Sequence, residues 1–158
     1  MNKKEMSAHP GIYVLQQNRR RIADVAVDFS SDDLWTIPEG FRNNIAWNFG
    51  HIVVTQQLLH YKNCSLPMYI EDDVIGELRK GTSPADWNAR PDMARIFAWM
   101  VEMPEKLAAD YETGRFSDYQ EYKTSAGTVL RNIDEAIDFN NFHDGIHIGV
   151  ILALSKLV

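Results

Sequence analysis

Between Asn44 and Asn63 the chain carries Ile45, Trp47, Phe49, Ile52, Val53, Leu58 and Leu59, spaced so that they cover most of a helix's circumference. A helix that is apolar nearly all round belongs in an interior, wrapped by other elements. In a chain of 158 residues that demand dominates the fold. Three further helix-length patterns are available to meet it. From about Pro10 to Phe29, Ile12, Leu15, Ile22, Val25, Ala26 and Phe29 recur every three or four residues, and Pro10 suits a first helical turn. After Pro91 a third stripe runs through Met93, Ile96, Phe97, Met100, Val101, Leu107, Ala108 and Tyr111 to Gly114. Pro104 lies inside it and is expected to kink or divide it. The last pattern runs through Ile133, Ala136, Ile137, Phe142, Ile146, Val150, Ile151 and Leu154 to the end of the chain. Its start is marked by Asn132 with Glu135 three residues on, which resembles a capping box, and Asp134 and Glu135 suit the positive end of a helix.

Four helices of about 20 residues, each about 30 Å long at helical rise, predict an all-α fold: a four-helix bundle in one domain spanning residues 1–158. A long crossover separates helices 2 and 3. Residues 64–90 hold Pro67, Gly76, Gly81 and Pro84, with one short helix expected over about 71–80. A connection of this length reads equally as a plain crossover or as a cover over a site. Ser30-Ser31-Asp32-Asp33 is expected to cap a short turn through Trp35, and 36–42 to form a loop. Residues 1–8 read as a loose start and 115–127 as an extended connector. Neither an internal repeat nor a strand pair is evident.

The net charge of -6 argues against nucleic acid as a partner. The longest basic run, Arg19-Arg20-Arg21, reads as a solvated helix face with buried stems. The longest apolar run, near 146–154, is too short to cross a bilayer. The charged first residues lack the apolar run of a signal peptide. Cys64 has no second cysteine to pair with and reads as structural. Together these predict a cytoplasmic protein with no membrane partner.

The chemistry concentrates in the histidines. His143 and His147 are four apart, hence on one helix face, one turn above the other. That face also carries Phe139, Asn140, Val150, Ile151 and Leu154, so it points inward. His51 lies midway along the central helix. His60, nine residues on, is half a turn away from His51 and a poor co-ligand, and His9 is close to the chain start. Three imidazoles from two packed helices can hold one divalent metal and leave positions open, as in catalytic zinc sites. A water held there would have its pKa lowered toward neutrality. The alternative is three partly buried histidines satisfied by ordinary hydrogen bonds. Asn44, Asn48 and Thr55 lie near the His51 face and can support it, although Asn44 also suits a helix cap. Asp144 reads as a solvated helix charge, with ligand orientation or weak general-base action as the alternative. Trp47, Phe139 and the 64–90 segment would line a pocket suited to a small organic substrate. His143-Asp144-Gly145-Ile146-His147 differs from the H-E-x-x-H of metalloproteases in its second residue, and the 11 residues after His147 include no His, Asp, Glu or Cys. A zincin protease is therefore not expected. No phosphate-binding glycine loop is present.

Two segments carry a resemblance. Asn44-Ile45-Ala46-Trp47-Asn48-Phe49-Gly50-His51-Ile52 resembles the second-helix motif of the DinB-like (YfiT-like) superfamily, and Phe142-His143-Asp144-Gly145-Ile146-His147-Ile148-Gly149 resembles its last-helix H-x-x-x-H-x-G motif. (The DNA polymerase of the same name is unrelated.) The resemblance implies an up-down-down-up bundle, often dimeric, with zinc or nickel held by His51, His143 and His147. Characterised relatives include bacillithiol- and mycothiol-dependent transferases, maleylpyruvate isomerase and proposed hydrolases. It therefore implies a transferase that uses a low-molecular-weight thiol on a small electrophile, with a metal-dependent hydrolase or a non-catalytic ligand-binding bundle as alternatives. The chain departs from the pattern at Asp144, where many members carry Glu, and at Val150, where many carry Gln.

Overall fold

A computed structural model describes residues 9–158; the expected loose start at 1–8 lies outside the described residues. Helix α1 spans Pro10–Ala26, with the His9 side chain accepting the Gly11 amide at its start. It stops three residues short of Phe29. Helix α2, Ser31–Trp35, is closed at its start by a reciprocal capping box between Ser30 and Asp33. Helix α3 spans Ile45–Gln56, capped by Asn44, whose Oδ1 accepts the Trp47 amide at 2.8 Å. It continues as a π-helical turn over Gln57–Tyr61 and a 3-10 turn over Lys62–Cys64. The helical path ends at Ser65, which takes φ 53°. Every residue from Asn44 to Val54 is buried, as an apolar circumference requires.

The crossover contains helix α4, Asp72–Leu78, and a 3-10 turn at Pro84–Asp86. Helix α5 spans Met93–Glu112 and is not divided at Pro104. Ile96, Met100 and Met103 before that proline and Leu107 after it are all buried, so tertiary packing grips the helix on both sides. The expected connector is not wholly extended chain. Strands β1, Tyr122–Lys123, and β2, Val129–Leu130, pair antiparallel in register Tyr122↔Leu130 and Lys123↔Val129. The turn between them uses Gly127 at φ 89°, a conformation side chains disfavour. Helix α6 spans Ile133–Leu154. Asn132 caps it as expected, but Glu135 reaches back to the Arg131 amide rather than to that of the cap.

Four long helices form an all-α bundle in which α1 and α3 each pack against both α5 and α6. Their directions follow from paired residues. Asn141 bonds to Gly11 and Asp144 to Arg19, so α1 and α6 run the same way. His147 meets Asn48 and His143 meets His51, so α3 opposes α6. Phe49 meets Phe97, Gln56 bonds to Met103 and Tyr61 to Asp110, so α5 runs with α3. The order is up-down-down-up, and two parallel neighbours need the long crossover.

The crossover does more than connect. Leu78, fully buried, lies over Gly50, where an added Cβ would come within 2.6 Å of a Leu78 methyl. A side chain at position 50 would push α4 off α3, so glycine permits the close approach.

Candidate metal centre

His51 comes from the middle of α3, and His143 and His147 from consecutive turns of α6. Because α3 and α6 are antiparallel neighbours, the three rings converge, with centroids 4.5–5.1 Å apart. One ring nitrogen from each lies within 4.8 Å of the others, an arrangement that could hold a metal ion. His51 is buried and stacks on Trp47 at 4.4 Å with the planes 11° apart. Trp47 is itself tethered through its indole N–H to Thr82 Oγ1 at 2.9 Å.

Hydrogen bonds fix which nitrogens carry lone pairs. The Leu78 carbonyl, 2.8 Å from His51 Nδ1, can only accept, so that nitrogen is protonated and Nε2 is the free one. Asn48 donates from Nδ2 to the Asn44 carbonyl at 2.8 Å. Its Oδ1 therefore faces His147 Nδ1, also at 2.8 Å, and makes that nitrogen a donor. Thr55 Oγ1 is 3.3 Å from His51 Nε2. Of the residues expected to support the triad, Asn48 and Thr55 touch it directly, and Asn44 acts through Asn48 as well as capping α3.

The donor set fits a divalent cation. His51 Nε2 and His143 Nε2 face one another at 3.3 Å, a separation that needs a proton or a cation between them. Two nitrogens on one tetrahedral zinc would stand about 3.4 Å apart for bonds of 2.0–2.1 Å. Burial lowers the pKa of His51 to about 4 against the raising effect of the Leu78 carbonyl, with His143 lowering it further. Burial, then His143 and His51, lower that of His147 to about 3. Both are neutral at pH 7, the ligating form.

Asp144 is not a solvated charge. It is fully buried behind His143, with Oδ1 4.0 Å from His143 Nδ1. Arg19 Nε donates to its Oδ2 at 2.5 Å and Nη2 to its Oδ1 at 3.2 Å; Nη2 also reaches the Ile52 carbonyl at 3.1 Å. Asn140 Nδ2 adds a donor at 3.3 Å. Burial acts to raise the Asp144 pKa; Arg19 and His143 outweigh it and hold the carboxyl below its usual range. The reading of Arg19 as part of a solvated face is likewise overturned, since its side chain is fully buried. The signal was available in the sequence. Ile12, Leu15, Arg19, Ile22 and Ala26 fall on one 3-4 stripe, and all five are buried. A charge within such a stripe calls for a buried partner.

The remaining histidines stand apart from the three. His9 caps α1, and His60 is fully buried against the Ala136 backbone, its pKa lowered to about 3 by burial. Cys64 is buried with its Sγ 3.7 Å from the Phe116 carbonyl, and burial pushes its pKa up to about 11. That is the profile of a structural thiol rather than a nucleophile.

Two cavities open at the triad. One, of about 240 Å³, runs between α3 and the β1–β2 turn, past Leu58, Tyr122 and Phe139. The other, of about 410 Å³, lies along Trp47, Val150 and Leu154. Both include His51, His143, Lys80 and Ser125. Lys80 and Ser125 come from connecting segments, where no periodicity marks them. No helix among the described residues is long and apolar enough to cross a membrane.

No curated protein matches the chain. The family model of the DinB superfamily matches residues 15–151, a span that takes in the three histidines and the Arg19–Asp144 pair behind them. With an all-α bundle and both helix motifs in place, this chain belongs to the DinB superfamily.

Proposed function

We propose that this protein is a divalent-metal-dependent transferase, with zinc or nickel on His51, His143 and His147, that joins a low-molecular-weight thiol to a small electrophile. The observation that carries the reading is the site's composition. Three imidazoles meet where two cavities join, and among the described residues neither cavity is lined by a cysteine or a carboxylate. On this reading the nucleophile is brought in rather than supplied by a cysteine or carboxylate of the chain. A metal bound at the triad supplies Lewis acidity, which favours the thiolate at neutral pH. The chain's own groups do the rest. Leu78 and Asn48 hold two imidazoles in the ligating tautomer, Trp47 fixes the plane of His51, and Leu58 and Phe139 offer an apolar wall. In the reaction a sulfur–carbon bond forms, the leaving group departs with the electron pair of the broken bond, and the thiol proton passes to solvent.

The test is a screen of zinc- and nickel-loaded protein with monochlorobimane and a set of thiols that includes cysteine and bacillithiol, wild type beside His147→Ala. Thiol-dependent turnover lost in the variant supports the reading. Turnover of ester or amide substrates in water alone would favour a hydrolase. Tight ligand binding without turnover would favour a non-catalytic bundle.

We also propose that it acts as a cytoplasmic homodimer on a small-molecule substrate, without nucleic-acid or membrane partners. The outer face of α6 supports the dimer, because Phe142, Ile146 and Leu152 are exposed there beside Gly145 and Gly149. Light scattering at several concentrations checks it; a monomer throughout would overturn it.

A further inference from the structure

The mouth of the triad is a basic island in an acidic protein. The chain has 22 acidic and 16 basic residues, yet among the described residues no Asp or Glu lines either cavity that meets the histidines. Lys80 borders both cavities, Lys62 borders the first and Arg42 the second. None of the three forms an ion pair among the described residues. Some cations elsewhere are paired, Arg20 with Glu105, Arg95 with Glu71 and Arg115 with Asp110, and others are not. What sets this mouth apart is three cations gathered at one concavity without a lining carboxylate. Asp144, the carboxylate beside the triad among the described residues, is fully buried behind it and tied to Arg19. The backbone at Lys80 is anchored. Lys80 lies two residues after Leu78, whose carbonyl orients His51, and precedes Gly81, which turns the chain at φ 94°. Unpaired cations at a concave mouth concentrate anions there.

We propose that the small molecule taken by this site is an organic oxyanion. Its carboxylate or phosphate group is held by Lys80 where the cavities join, with Lys62 and Arg42 at the flanks, and its apolar body lies against Leu58 and Phe139. The inference rests on the reading of the triad as a reaction centre and adds the chemical class of what is bound. Lys80 acts as a binding residue, and its ammonium contributes whether the second group of the ligand is an electrophile or a thiol.

The test is isothermal titration of phenylacetate, phenyl phosphate and the neutral phenylacetamide into zinc-loaded and chelator-treated protein. Wild type, Lys80→Gln, Lys80→Arg and Lys106→Gln are compared, with zinc content measured on the same samples. Lys106, which lies over the Tyr69 ring away from the triad, controls for the loss of one surface charge. Expected is anion binding in wild type that weakens about 5- to 10-fold in Lys80→Gln, the effect of one unit charge near contact in water. Lys80→Arg restores it, and Lys106→Gln stays within about twofold, as a screened distant charge should. The preference between phenylacetate and phenyl phosphate identifies which oxyanion the mouth suits. Phenylacetamide binding as tightly as either anion, or anion binding indifferent to Lys80→Gln, would overturn the inference. The two proposals fail separately. Protein that takes up zinc without an anion preference refutes this one alone. Protein that takes up no zinc but binds anions through Lys80 supports this one and refutes the metal-dependent reading.

Discussion

Replacing Arg19 with methionine keeps the length of the buried stem and removes the guanidinium that holds Asp144. In the wild type three donated hydrogen bonds leave Arg19, two to the Asp144 carboxylate and one to the Ile52 carbonyl, and both ionic side chains are fully buried. Breaking a buried pair by removing one partner costs about 3–5 kcal/mol, because the other charge is left uncompensated. For a chain of this size each kcal/mol moves the melting temperature by about 2–4 °C, so the variant should melt about 6–20 °C lower. The pH dependence identifies the cause. Asp144 in the wild type titrates below its unfolded value, so its share of stability is complete above that value and is lost as pH falls through the folded pKa. Without Arg19, burial is opposed only by the weaker effect of His143 and the pKa rises, so a proton neutralises Asp144 on mild acidification. The stability gap between variant and wild type should therefore narrow between about pH 7 and pH 5. Urea unfolding of metal-free protein at several pH values measures this. The double variant Arg19→Met/Asp144→Leu should recover most of the loss, since an apolar pair of similar volume replaces buried charges at little cost. A loss below about 1 kcal/mol, a gap that does not vary with pH, or a double variant as poor as the summed single losses would refute the reasoning.

Two further outcomes follow from the same geometry. Gly50→Ala drives a methyl into the Leu78 side chain and should cost about 1–3 kcal/mol by overpacking, while loosening the Leu78 carbonyl that orients His51; chemical denaturation and a zinc titration of Gly50→Ala beside Gly50→Ala/Leu78→Val would show it, and equal stability and zinc affinity to wild type would contradict it. His60 is neutral in the fold with a pKa near 3, whereas an unfolded histidine titrates at about 6.5, so the unfolded chain binds more protons below that pH and stability falls as pH drops from 6.5 toward 3. Its share of the slope is about 1.4 kcal/mol per pH unit, and a His60→Gln variant that lost stability on acidification as steeply as wild type would count against it.

The parts of this molecule that could be read from sequence are those written in periodic burial. The run from Ile45 to Leu59 demanded an interior helix, and α3 is that helix. Spacing of four placed His143 and His147 together, and an inward-facing His51 completed the set that the bundle brings within reach. What escaped lies where several elements act on one residue. The Arg19–Asp144 pair joins positions 125 residues apart: the apolar stripe around Arg19 calls for a buried partner, but which residue answers it is legible only once α1 and α6 are laid side by side. The β1–β2 hairpin has two residues per strand, too few for alternation to register, and only Gly127 marks its turn. Pro104 argued for a break that packing on both sides of α5 overrode. Lys80 and the Leu78 carbonyl reach the triad from the crossover, which was equally readable as a plain connection.

The claim on which the account depends is that His51, His143 and His147 together bind one metal ion. Elemental mass spectrometry of tag-free protein tests it most directly, with wild type beside His51→Ala and His147→Ala, each as purified and after exposure to zinc and nickel. The account predicts about one bound ion per wild-type chain, as a three-histidine site with an open position would hold, and its loss in both variants. Wild-type protein that retains no metal after exposure to both ions, or variants that retain as much as wild type, would contradict it.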